Sequence, residues 1–103
     1  MVTHEFAHLL ETATGQRARD EYLRHLRDTF ATDVVHLDRR STRVVLRKAF
    51  DAEAISQYAR LGGPKEAIAE AFAATETSPG RATAVDRTGH AILIEQLRRE
   101  RER

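Results

Sequence analysis

The stretch from Val34 to Leu46, Val34-Val35-His36-Leu37-Asp38-Arg39-Arg40-Ser41-Thr42-Arg43-Val44-Val45-Leu46, decides how the chain is read. Two apolar, largely β-branched triplets flank a polar run at 39–42, and such a pattern predicts a β-hairpin. Upstream, Thr3 is a candidate cap for a helix over 4–14, with Phe6, Leu9, Leu10 and Ala13 at helical spacing and Gly15 after it. A second helix is predicted from Arg17 to Ala31, its apolar stripe formed by Tyr22, Leu23, Leu26 and Phe30.

Downstream, Asp51 is a candidate N-cap for a third helix, with Ile55, Tyr58 and Ala59 facing inward and Gly62-Gly63 ending it. Pro64 suits a first helical position. A fourth helix is predicted from there to Thr75, with Ile68, Ala69, Phe72 and Ala73 inside. Ser78-Pro79-Gly80 breaks the chain. The short turn Arg87-Thr88-Gly89, between apolar runs at 82–86 and 90–94, predicts a second hairpin. The expected fold is therefore α+β, in the order α-α-β-β-α-α-β-β. It would be one compact domain over 1–95 with mostly antiparallel hairpins and helices on one face, followed by a charged tail over 96–103.

Composition narrows the function classes. The 103 residues include no Cys, which removes a disulfide framework, a thiolate metal site and a Cys nucleophile together. No apolar run approaches the length of a membrane span, and no signal peptide is evident, so the cytoplasm is the expected location. The net charge is only +1, but it is unevenly spread. Residues 32–50 hold Arg39, Arg40, Arg43, Arg47 and Lys48 against two acids, whereas residues 51–80 are net acidic. A layout of this kind suits the docking of complementary surfaces, self-association or nucleic-acid binding.

One motif looks catalytic. His4-Glu5-Phe6-Ala7-His8 spells HExxH, which on a helix sets two imidazoles on one face and a general base between them. With Val2, Leu9 and Leu10 as uncharged flanks, the segment resembles the active-site helix of the zincin metalloproteases. That resemblance implies zinc held by His4 and His8, with Glu5 activating the bound water. It spans about ten residues. Glu11 and Thr14 stand where the extended metzincin pattern has Gly and His, and a third ligand would have to come from a residue such as Asp20 or Glu21.

The helices at 51–75 also have the spacing of a helix-turn-helix, with Ala59 and Gly63 at its tight turn. Glu66 and Glu70 would then set negative charge against phosphates. The basic run is the better candidate interface. Arg39, Arg40, Arg43, Arg47 and Lys48 on a hairpin would form a ribbon able to meet phosphates, with no interleaved aromatic to stack on bases. The sequence thus points to a small non-catalytic binding or regulatory module without a cofactor. It would dock on a protein partner, on itself, or on nucleic acid through the basic hairpin. A zinc-dependent hydrolase is the alternative.

Overall fold

The structure, a computed structural model, describes residues 2–14 and 16–102, with side chains from Glu5 onward. The described residues form six helices and no strand: α1 (Val2–Ala13), α2 (Arg17–Phe30), α3 (Arg39–Asp51), α4 (Gln57–Gly62), α5 (Pro64–Thr77) and α6 (Ala84–Arg101). Both expected hairpins are helical, and the α+β assignment is replaced by an all-helical one.

The reasons are local. Residues 34–38 belong to no helix or strand, and Asp38, itself extended, then caps α3, its carboxylate accepting from the Ser41 amide at 2.8 Å. Hydrogen bonding to that amide holds the Asp38 carboxyl below the usual range. Val45, Leu46 and Ala49 are buried while Val44 and Arg47 are exposed, a period of 3.6 rather than 2. The polar run Arg39–Thr42 also contains no Gly, Asn or Asp to take the positive φ that a two-residue hairpin turn demands. Asp51, expected to cap the next helix, is instead the last residue of α3, and Ser56 caps α4 by accepting from the Ala59 amide. Tyr58, expected inside, is 60 % exposed.

The second supposed hairpin opens with a capping box. The Thr83 hydroxyl accepts from the Asp86 amide at 3.0 Å, and the Asp86 carboxylate accepts from the Thr83 amide at 3.1 Å. From there α6 runs 18 residues, burying Val85, Gly89, Ile92, Leu93 and Gln96 on one face. Gly89 is a packing residue rather than a turn. A Cβ there would lie 2.8 Å from the Ala71 Cβ and 2.9 Å from the Tyr22 ring. At the C-terminal end, Gln96 donates to Glu21 of α2 at 2.8 Å, and Leu97 packs against the core.

The core is organised around α5. Ala67, Ile68, Ala69, Ala71 and Phe72 are all buried, leaving Glu66 and Glu70 on the remaining side of the helix. Helices α1, α2, α4 and α6 pack on it. Its alanines permit close approach of the neighbouring backbones, as Gly89 does from the other side. The whole measures 35 × 31 × 19 Å, thin enough for two helix layers of about 10 Å each.

Helix α1 enters this packing through Ala7, Leu10, Glu11 and Thr14, which leaves Phe6 and Leu9 largely exposed. The fully buried Glu11 carboxylate accepts two bonds from the Arg19 guanidinium, at 2.7 and 3.0 Å, across the α1–α2 corner. No helix is long and apolar enough to cross a membrane among the described residues.

Candidate functional site

The HExxH segment lies on α1, as expected, but its described side chains diverge. Glu5 is exposed. His8 turns toward α5, where its Nε2 sits 2.9 Å from Glu66 Oε1. The side chain of His4 lies outside the described residues. Glu11 and Thr14, the positions where the likeness to metalloproteases breaks, are both fully buried and build the corner with Arg19. Of the candidate third ligands, Asp20 is exposed and Glu21 accepts from Gln96. Among the described residues, no three His, Asp or Glu side chains are grouped so as to hold a metal ion.

His90 makes a pair of the same kind as His8. Its Nε2 lies 2.6 Å from Glu76 Oε2, and its ring stacks on Phe72 with centroids 4.8 Å apart. The two histidines thus fasten α1 and α6 to opposite ends of α5, through Glu66 in its first turn and Glu76 in its last.

The basic residues make the more coherent surface, on a helix instead of a ribbon. Arg39, Arg43 and Arg47 recur at every fourth position of α3 and are exposed, so they form one stripe with Arg40 beside it. Lys48 leaves the stripe to meet Asp33 at 3.3 Å, and Arg47 approaches Asp51 only at 3.9 Å. Arg39, Arg40 and Arg43 pair with no acid among the described residues.

One residue of the basic surface, Arg60, is not among the residues expected from the sequence. Arg60 of α4 lies over the Phe50 ring, 4.9 Å from its centroid, and joins Arg43, Arg47 and Leu61 in a cleft of about 290 Å³ between α3 and α4. Its Nε is buried and has no acceptor among the described residues. Nothing in the sequence near Arg60 announces this role, because it depends on how α4 is set against α3.

Arg39 and Arg40 occupy the first turn of α3, the end where the helix dipole disfavours cations by about 0.3–1 kcal/mol each. An anion held there would be attracted by both the arginines and the helix end.

A second concavity, of about 440 Å³, opens on the far side of Ala59 between residues 53–56, α5 and the start of α6. Its charged lining is wholly acidic, from Glu53, Glu70 and Asp86, and its apolar lining is mainly alanine. Burial, with the charge of Glu70 adding to it, raises the Asp86 carboxyl above the usual range despite the capping bonds from Thr83. The expected helix-turn-helix does not form a reading head. Helix α5, which would have to enter a groove, is the centre of the core.

No protein-family model matches the chain, and no curated protein or solved structure shows significant similarity to it. Guanidinium groups spaced along an exposed helix, reinforced by a fourth from α4, suit the binding of an extended anion.

Proposed function

We propose that this protein is a small non-catalytic docking module that binds the phosphate backbone of nucleic acid through α3. The observation that carries this reading is the stripe Arg39, Arg43 and Arg47, three exposed cations on one helix face, two of which converge with Arg60 in a single cleft. Successive stripe residues are about 6 Å apart along the helix axis, a spacing suited to a row of phosphates rather than to one compact anion. No aromatic side chain lines the cleft, so base stacking has no support and the contact is with backbone, largely independent of sequence.

The test is fluorescence anisotropy of labelled duplex DNA and RNA titrated with protein over a range of salt. If Arg39, Arg40, Arg43 and Arg47 each neutralise one phosphate, log K against log salt for B-DNA has a slope of about −3.6. Arg43→Ala with Arg47→Ala reduces that slope by about 2 and weakens all sequences alike. Equal binding by this variant, or no binding by the wild type at low salt, overturns the reading.

A further inference from the structure

The two concave surfaces on either side of α4 carry opposite charge and share no residue. The cleft between α3 and α4 is lined by Arg43, Arg47 and Arg60. The other presents Glu53, Glu70 and Asp86 around buried Ala59 and Ala67, with no basic side chain in its lining. Because they open on different sides of one helix, the first cannot meet the second within a single molecule. A second copy offers each surface a partner of opposite charge.

We infer that the protein self-associates head to tail, the α3 face of one copy docking in the acidic, alanine-lined cleft of the next. Several features favour a second copy as the occupant. Small side chains, mainly alanine, line the cleft together with the carboxylates of Glu53, Glu70 and Asp86. On the α3 face, beside the cleft with Arg60, Val44 is 42 % exposed and set among the exposed Arg40, Arg43 and Arg47. An apolar residue flanked by cations complements an alanine-lined cleft whose charged groups are all carboxylates. The raised Asp86 carboxyl is one whose ionised form an incoming guanidinium would stabilise.

Because the interface joins different patches, each copy in such a contact keeps one surface free. The assembly then grows as an open chain or closes as a ring. This inference uses the same arginines as the phosphate-binding reading but needs no nucleic acid. It adds a form of control, since a copy whose α3 face is docked cannot present it to phosphates.

The experiment is sedimentation velocity of the nucleic-acid-free protein over a concentration series at about 0.05 M and about 1 M salt, where screening differs strongly. The expected result is a mass that rises with concentration at low salt and collapses to the monomer at high salt. Two charge-reversed variants accompany it, Arg43→Glu with Arg47→Glu, and Glu53→Lys with Glu70→Lys, leaving the Thr83–Asp86 capping box intact. Each alone is expected to be monomeric, and an equimolar mixture of the two is expected to associate again. That restoration also shows that both variants are folded.

A wild type that stays monomeric at low salt overturns the inference, as does association that survives either pair of reversals. Failure of the mixture to associate overturns it too. The phosphate-binding reading stands or falls separately, on the anisotropy slope.

Discussion

Only Lys65, Glu76 and Thr77 of α5 are exposed, whereas α3, one residue shorter, turns Arg39, Arg40, Arg43, Val44, Arg47, Lys48 and Asp51 to solvent. The first helix is built from alanine with Ile68 and Phe72 as its bulk, and is shared by four neighbours. The second gives one face to the core through Val45, Leu46 and Ala49 and keeps the rest for its surroundings. Burial is thereby concentrated in one helix and exposed charge in the other, so substitutions in the two should have effects of different kinds.

The sharpest way to break that division is Ile68→Ala, which empties a fully buried side chain at the centre of α5. It is expected to cost about 2–5 kcal/mol and to lower the melting temperature well below that of the wild type. A cost below about 1 kcal/mol, the scale of an exposed site, would show that α5 is not the organising helix. Next comes Gly89→Ala, where the added methyl meets Ala71 and Tyr22. Chemical denaturation should report a loss of about 1–3 kcal/mol, even though alanine is the better helix former. A gain in stability would mean that α5 and α6 have room between them.

The smallest effect belongs to α3 and depends on pH. Asp38→Ala should lower the melting temperature at neutral pH by removing the cap on Ser41. Because the Asp38 carboxyl is held below its ordinary value, its contribution is complete above the unfolded-state pKa. It is lost as pH falls through the lower folded-state value. Thermal melts of the two proteins should therefore converge on acidification, and a constant gap at every pH would assign the cap's effect to geometry rather than charge. The Arg43→Ala, Arg47→Ala protein, by contrast, should melt within about 0.5 kcal/mol of the wild type while losing affinity for phosphates.

Helices α1, α2 and α5 were legible in the sequence, whereas α3 and α6, and with them the fold class, were not. The apolar stripe of α2 and the Pro64 start of α5 follow directly from spacing and capping. The stretch 34–46 misleads because valine favours strands, yet helical spacing was present in Val45, Leu46 and Ala49, with Asp38 three residues before Ser41 as the cap. A weak local preference was overridden by a buried face. At Gly89 the ambiguity is physical. A glycine that bends a turn and one that admits a neighbouring ring look alike until the partner, Tyr22, is known to be there.

The candidate site was legible in its members and not in its shape. Arg39, Arg40, Arg43, Arg47 and Lys48 were identified from density of charge alone. That Lys48 departs to Asp33 and Arg60 joins from α4 depends on tertiary placement. The His8 side chain shows the reverse case. Its spacing from Glu5 fits a catalytic motif, while its position against Glu66 fits the fastening of α1 to α5.

Between α4 and α5 stands one residue, Gly63, with φ of 89° and open space where a Cβ would project. It ends one helix and begins the next, so the joint has no slack. Arg60 is carried on the short arm of an elbow whose other arm is anchored in the core. The aim of that guanidinium toward Arg43 and Arg47 is consequently set by a pair of backbone torsions as well as by its contact with the Phe50 ring. A residue that closes or opens this elbow would retune the charge spacing of the cleft while touching none of its charges.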